Sequence, residues 1–264
     1  MEQSTGYDAV LNSRTCKSDA LNTAFPSVNV SPESPRREAP WMAGIRAARA
    51  NFIPALIVQV MMLSVVLCYY HYPPTTLFLN NLALLKEEWG YGYSALVSVI
   101  AGGFVPEIMR IIVFQKGKVL RSNFSNLLFT IPFWGCTGMI VDLFYRSQSE
   151  WFGSEVTFQV VATKVLVDQL LYNPLFAGPS GAWCYDWKNS GYSFKNMGRF
   201  FTWKYYRDVI LPILFASWAV WIPIVAILYS LPSNLQIPLF ALALTMWVIL
   251  YTWISEARMK ETGG

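Results

Sequence analysis

Six long apolar segments dominate this 264-residue sequence and restrict it to one class of fold. Each is close to the ~20 residues that a helix needs to cross ~30 Å of hydrocarbon. A segment inside a bilayer has to satisfy its own backbone hydrogen bonds, so all six are expected to be helices. They cover approximately residues 51–70, 93–115, 124–145, 156–176, 209–229 and 236–254.

The composition agrees with a membrane protein. Hydrophobic residues make up 54% of the chain and charged residues 14%, whereas a soluble domain carries about 25% charged residues. The predicted fold is therefore all-α, a polytopic transmembrane helical bundle. The second, third and fourth segments contain prolines and charges, so some of them could be buried or interfacial helices. Six crossings are the main prediction, and four are the alternative.

The first 40 residues differ from the rest of the chain. They are rich in Ser, Asn, Thr and Pro, and the sequence SPESP at 31–35 cannot continue a regular element. We predict a disordered tail over 1–40 and a transmembrane helical domain over 41–264. The tail has no apolar core near its start and contains several acidic residues, so it matches neither a secretory signal nor a mitochondrial presequence.

Basic residues alternate along the connections between the segments. They precede the first segment and fill the second-to-third and fourth-to-fifth connections, whereas the other connections are mixed, acidic or neutral. With six crossings, all basic connections and both termini lie on one side, which the positive-inside rule assigns to the cytosol or an organelle matrix. The basic residues are Arg36, Arg37, Arg46, Arg49, Lys116, Lys118, Arg121, Lys188, Lys195, Arg199, Lys204 and Arg207.

Two connections have the composition of interfacial segments. Residues 77–89 place apolar side chains at helical spacing, with Asn80, Asn81 and the charged residues 86–88 expected elsewhere on the helix, as in a helix along the membrane surface. Residues 183–206 mix tryptophans and tyrosines with basic residues, which favours the headgroup layer. An aromatic cage for a ligand is the alternative for the second segment.

Charged side chains inside apolar segments cost ~2.5–3.5 kcal/mol each on insertion scales, so each one marks a functional hypothesis. Three pairs have the spacing of an intrahelical ion pair: Glu107 with Arg110, Asp142 with Arg146, and Lys164 with Asp168. Local neutralisation and the lining of a shared aqueous path explain this spacing equally well. The predicted pore-lining or helix-pairing residues are Glu107, Arg110, Asp142, Lys164, Asp168 and Gln169.

No catalytic or metal-binding pattern is present in the sequence. His71 is the single histidine, and its position at the end of an apolar segment favours an interfacial residue over a general base. The four cysteines are scattered and form no C-x-x-C pair, and no phosphate-binding or dinucleotide fingerprint occurs. Lys and Arg adjoin apolar segments and form no stripe for nucleic acid. We expect no enzyme activity, no metal, no cofactor and no nucleic-acid partner.

The C-terminal ~90 residues resemble a known family. A Lys, an Asp-Gln pair and a Pro stand at matching intervals as Lys164, Asp168, Gln169 and Pro174, and a later signature follows. The order and types of these residues are similar to those of the Mpv-type peroxisomal and mitochondrial inner-membrane proteins, named for a twenty-two-kilodalton peroxisomal member. The later signature residues are Trp221, Pro223, Tyr229, Pro232, Gln236 and Trp247.

The resemblance implies a small helical bundle that acts as a weakly selective channel or permeation pathway for small solutes. It implies a mitochondrial inner or peroxisomal membrane, or a bacterial inner membrane for a divergent member. The expected partners are the lipid bilayer and small solutes, with a homo-oligomer or the subunits of a membrane complex left open. A structural or accessory subunit of a membrane complex is the alternative function, and a membrane enzyme acting on lipid is a third.

Overall fold

The structure is a computed structural model, and it describes residues 40–195 and 197–262, with side chains from 41 to 250 except at 43 and 196. The predicted tail over 1–40 lies almost wholly outside the described residues. The described part of the chain is helical and contains no strand, which confirms the predicted all-α fold. Its eight helices are α1 Pro40–Ala50, α2 Phe52–His71, α3 Pro73–Trp89, α4 Tyr91–Phe114, α5 Arg121–Phe152, α6 158–189, α7 Trp203–Tyr229 and α8 Ser233–Thr262.

Five of these helices are long and apolar enough to cross a membrane: α2, α4, α5, α7 and the Ser233–Leu250 part of α8. The chain is therefore an integral multi-pass membrane protein. The fourth predicted segment, 156–176, lies mostly on α6, which is not among the five. Helix α6 is long enough, but its Phe158–Ala177 part carries a lysine, an aspartate, two glutamines and an asparagine that lower the average hydropathy.

The centre of one half of the bundle is an apolar core shared by α2, α3, α7 and α8. Val58 and Met62 of α2 are fully buried there against Ile224 of α7 and Leu239 of α8. Lipid tails are as apolar as these side chains, so van der Waals packing, more than exclusion from water, holds such a core together. The core fixes α7 and α8 as the support for the polar residues described below.

Helices α4 and α5 approach closely because glycines lie at their contact. A Cβ on Gly138 of α5 would collide with the backbone oxygen of Ser94 and the side chain of Ser98, both on α4. A Cβ on Gly102 of α4 would collide with the indole ring of Trp134 on α5. Small residues at helix contacts are the usual means by which membrane helices bring their backbones together.

Helix α6 changes geometry where its polar residues lie. It starts at a Thr157 cap, whose side chain accepts a hydrogen bond from the Val160 amide at 3.3 Å. It is α-helical over Phe158–Val167, π-helical over Asp168–Ala177 and α-helical again over Gly178–Asn189. Widened π-helical turns change which residues share a face, and they are frequent at functional sites. Here the widened stretch begins at one of the predicted site residues.

Helix α3 lies against α2 and α8, between the first two predicted spans. Its buried residues are Leu79, Ala83 and Lys86, which follow the spacing of a single helical face. The prediction that residues 86–88 lie away from the packed face is therefore wrong for Lys86, which is only 5% exposed. The physical reason is an acidic partner on α5, described next.

Candidate functional site

Helix α5 carries a polar face that points into the bundle. Asn123, Asn126, Thr130, Asp142 and Gln148 are all buried, at spacings that keep them close to one side of the helix. The helix has 32 residues, so it spans about 48 Å at 1.5 Å per residue. The buried polar residues are therefore distributed over a length of α5 that exceeds the ~30 Å thickness of the hydrocarbon layer.

Asp142 is the centre of the first polar cluster. It is 1% exposed and forms the predicted ion pair with Arg146, with an Nε–Oδ1 distance of 2.9 Å. Two further partners come from other helices: Lys86 Nζ lies 2.8 Å from Oδ1, and the Ser94 hydroxyl donates to Oδ2 at 2.6 Å. The guanidinium of Arg146 lies 5.0 Å from the centre of the Tyr91 ring. This cluster joins α3, α4 and α5.

Glu107 and Arg110 form the second cluster, at the other end of α4 and α5. Both residues are 6% exposed, and Arg110 Nη1 lies 3.7 Å from Glu107 Oε1, so the predicted pair is confirmed. The Asn123 side chain donates a short hydrogen bond to the same glutamate oxygen, and its own oxygen accepts from the Leu120 amide. The first turn of α5 is thereby tied to the end of α4.

Lys164 and Asp168 do not pair with each other in the described contacts, so this predicted ion pair is wrong. The Lys164 ammonium donates to Ser149 Oγ at 3.1 Å and lies 5.8 Å from the centre of the Tyr229 ring. Asp168 accepts hydrogen bonds from the Tyr229 hydroxyl at 2.7 Å and from Gln169 Nε2 at 2.9 Å. The helix is still α-helical between them, because the Asp168 amide donates to the Lys164 carbonyl. Each side chain instead has a partner on another helix, Ser149 on α5 for Lys164 and Tyr229 on α7 for Asp168.

The Asp168 carboxylate belongs to a hydrogen-bonded network that crosses three helices. The Tyr229 hydroxyl donates to Asp168 and accepts a short hydrogen bond from Gln148 Nε2 on α5. Gln169 in turn accepts from Asn173 Nδ2 at 3.4 Å. This network holds the end of α7 against α5 and α6. Gln169 and Tyr229 were predicted as site residues, whereas Gln148 and Asn173 were missed.

The remaining signature residues lie around this network or away from it. Trp221 lines the cavity described below, and the Pro174 carbonyl accepts from the Tyr206 hydroxyl at 3.2 Å. Gln236 and Trp247 are each 2% exposed on α8. Two prolines complete the set, Pro223 inside α7 and Pro232 exposed between α7 and α8. The structure thus brings together Asp168, Gln169, Trp221 and Tyr229, with Lys164 behind the ring of Tyr229.

A cavity of about 490 Å³ lies between α5, α6, α7 and α8, next to Asp168. Its polar lining includes Thr137, Gln169, Asn173 and Ser217 beside the carboxylate. Such a volume is within the range of small-molecule binding sites, ~300–1,000 Å³. Aromatic rings form much of the remaining wall: Phe129, Phe133, Trp134, Tyr145, Tyr172, Phe176, Trp187, Trp221 and Phe240.

The cavity has its mouth between α5 and α6. The lining residues Pro132, Cys136 and Ile140 of α5 and Phe176 of α6 are exposed, whereas the lining residues of α7 and α8 are buried or half-buried. The mouth is therefore on the outside of the bundle, at the level of the middle of α5. In a bilayer this position faces the lipid and not the aqueous phase.

Most of the missed site residues had a signal in the sequence. Tyr145 and Gln148 follow Asp142 at spacings of three and six residues, on the inward side of α5. Lys86 continues the helical spacing of Leu79 and Ala83. Nothing in the sequence alone pairs Lys86 with a residue 56 positions later. In the part of the chain that the structure describes, no group of three or more His, Cys, Asp or Glu side chains could hold a metal ion.

A comparison of this chain with protein-family models, with curated proteins and with solved structures finds no match. The fold and the site define the chain as a multi-pass helical membrane protein with buried polar clusters and an aromatic-lined cavity. The resemblance to the Mpv-type family stays a prediction.

Proposed function

We propose that the protein is a non-enzymatic, weakly selective permeation pathway for small solutes, and that the cavity beside Asp168 is part of this pathway. The observation that carries the proposal is the cavity itself, because a buried carboxylate and its amide neighbours, Gln169 and Asn173, line its wall. A bundle that only had to pack would fill such a space with side chains, since protein interiors are close-packed.

The polar face of α5 supports a route to either side of the cavity. On one side, Thr130 and Asn126 lead towards the Glu107 cluster. On the other side, the network from Asp168 continues through Tyr229 to Gln148, near the end of α5. A solute on this route would exchange its water for fixed polar groups, as in other selective pathways. Side chains such as Trp134 and Tyr145 would have to move for passage.

Conductance and flux test this proposal. Ala177 lines the cavity near its mouth, and Ala177→Phe should fill part of the space. Leu170→Phe is the matched control, because Leu170 is an exposed residue of the same helix that does not line the cavity. The wild type and the control should conduct in planar bilayers, and proteoliposome flux should fall several-fold in Ala177→Phe. Folded wild-type protein that conducts no more than a protein-free bilayer refutes the proposal.

The alternative function is a structural or accessory subunit of a membrane complex. The Asp142 cluster favours it, since its buried contacts with Lys86 and Ser94 join three helices and none of these residues lines the cavity. Purification from the native membrane separates the two functions. A fixed set of co-purifying subunits together with absent conductance supports the accessory role. The Mpv-type resemblance adds the mitochondrial inner, peroxisomal or bacterial inner membrane as the proposed location, which organelle or membrane fractionation tests.

A further inference from the structure

The cavity combines one acidic group with a largely aromatic wall. Asp168 is the single charged residue among the lining residues that the structure describes, and none of these is Lys, Arg or His. Nine of the 23 lining residues are aromatic. A cavity of this composition has a negative side and several electron-rich ring faces, and both attract a cation. The lining residues that the structure describes offer an anion no basic partner.

The hydrogen-bond partners of Asp168 suit a carboxylate anion. One oxygen accepts from the Tyr229 hydroxyl and the other from the Gln169 amide. Both partners carry a hydrogen that they can donate, so these two contacts can satisfy an ionised carboxylate. Since the side chain is 5% exposed, little water screens its charge.

The nearest lysine on the same helix does not neutralise this carboxylate. The Lys164 ammonium contacts Ser149 and lies over the Tyr229 ring, and no ion pair within 4.0 Å joins it to Asp168 among the described contacts. The aromatic wall already accommodates one cation on its outer side, where Lys188 Nζ lies 5.2 Å from the centre of the Phe129 ring. Among the described lining residues, no cationic side chain lies inside the cavity.

The mouth indicates how a ligand would enter. Its exposed residues Pro132, Ile140 and Phe176 are apolar, and they face the lipid. A solute with an apolar body reaches such a mouth from the bilayer, whereas a small inorganic ion does not, because its transfer into hydrocarbon is too costly. The ligand thus needs a cationic group for Asp168 and an apolar or aromatic body for the rings.

We propose that this cavity binds a lipophilic organic cation, with its ammonium group beside Asp168 and its apolar body against the aromatic wall. The inference rests on the proposed function, since it names the class of solute that the pathway takes. It also makes a separate claim, because binding is measured without any flux.

Binding of phenyltrimethylammonium to the purified full chain in lipid nanodiscs tests the inference by calorimetry, with empty nanodiscs as the blank. Two probes of similar size serve as comparisons: neutral tert-butylbenzene and anionic benzenesulfonate. The cation should bind at least about tenfold more tightly than either, because only the cation gains the carboxylate and the ring faces. Equal or weaker binding of the cation overturns the inference.

Two variants locate the binding. Asp168→Asn should weaken cation binding about tenfold and leave tert-butylbenzene within about twofold, since only a charged partner is lost. Glu150→Gln is the matched control, because it removes an exposed carboxylate of α5 that lies outside the cavity, and it should bind like the wild type. If Asp168→Asn does not fold, Tyr172→Leu gives the second test. It removes one aromatic ring of the lining and should weaken cation binding about fivefold.

The two proposals fail in different ways. Cation-selective binding that depends on Asp168, without conductance, supports the site and refutes the permeation pathway. Conductance blocked by Ala177→Phe, with no preference for the cation, supports the pathway and overturns the ligand class. Cation binding that Asp168→Asn and Tyr172→Leu both leave unchanged overturns the site, because the cation then binds elsewhere.

Discussion

The buried pair between Lys86 and Asp142 offers the sharpest test of how this bundle is held together. Asp142 accepts three hydrogen bonds from side chains, and the ammonium of Lys86 lies 2.8 Å from one of its oxygens. Lys86→Met removes one charge-assisted hydrogen bond, which contributes about 1.5–3 kcal/mol. Asp142→Asn leaves the lysine buried without an anion, and breaking a buried pair in this way costs about 3–5 kcal/mol.

The double variant separates a true interaction from two independent losses. Lys86→Met with Asp142→Asn removes both charges and fills the space with a side chain of similar length and an isosteric amide. Replacing a buried pair by uncharged residues is often close to neutral, so the double variant should lose less free energy of unfolding than Asp142→Asn alone. We expect a coupling energy of about 2–3 kcal/mol from the complete cycle.

The assay is reversible unfolding in mixed detergent micelles, followed by circular dichroism. The control is Arg199→Met, which breaks an ion pair with Asp186 at the same 2.8 Å distance, but with side chains 49% and 36% exposed. Solvent screens that pair, so its loss should cost less than about 1 kcal/mol. Additive effects of Lys86→Met and Asp142→Asn, with coupling below about 0.5 kcal/mol, would refute the reasoning.

Three further predictions address packing, the polar network and topology. Gly138→Ala should destabilise the protein by about 1–3 kcal/mol, because the new methyl group meets the backbone of α4. The control Gly135→Ala on the same helix has room for a methyl group and should be neutral or stabilising by up to ~1 kcal/mol. Equal unfolding midpoints of the two variants would contradict this prediction. Tyr229→Phe leaves a buried carboxylate oxygen and a buried amide without partners and should cost about 1–3 kcal/mol in the same assay. Cysteines at Gly117 and Asn189 should be labelled from the same side of sealed vesicles.

The class of fold was predictable from the sequence because membrane helices leave a simple signal. A run of about twenty apolar residues has one stable structure in a bilayer, and five of the six predicted segments coincide with helices that are apolar enough to cross. The short-range ion pairs of Glu107 with Arg110 and of Asp142 with Arg146 were also predictable, since residues three or four apart lie on one helical face.

The partners between helices could not be predicted in this way. Lys86 reaches Asp142, and Tyr229 reaches Asp168, over 56 and 61 positions of sequence. Such contacts depend on how the helices cross, which a single sequence does not specify. The Lys164–Asp168 prediction was wrong for the same reason, because Lys164 contacts Ser149 of α5 and Asp168 contacts Tyr229 of α7. The cavity was unpredictable because its lining comes from four different helices.

The chain crosses the membrane six times if helix α6 spans it and five times if it does not. The distribution of polar and apolar side chains on α6 favours a crossing. Average hydropathy excludes it from the five apolar helices, but the average ignores which side each residue occupies. A helix lying in water on the surface of a domain buries its apolar side and exposes its polar side. Helix α6 does the reverse: its exposed residues include Leu166, Leu170, Leu171, Leu175 and Phe176, and its buried ones include Lys164, Asp168, Gln169 and Asn173.

An apolar outer face with buried polar groups is the arrangement expected of a helix surrounded by lipid, where polar side chains turn to the bundle interior. We therefore expect α6 to be the sixth crossing. The basic connection after α6 then lies on the same side as the basic connection between α4 and α5, which is the charge pattern of a six-crossing protein. Labelling of Gly117 and Asn189 from opposite sides would mean that α6 stays on one side of the membrane, and its exposed leucines would then have to be covered by another protein.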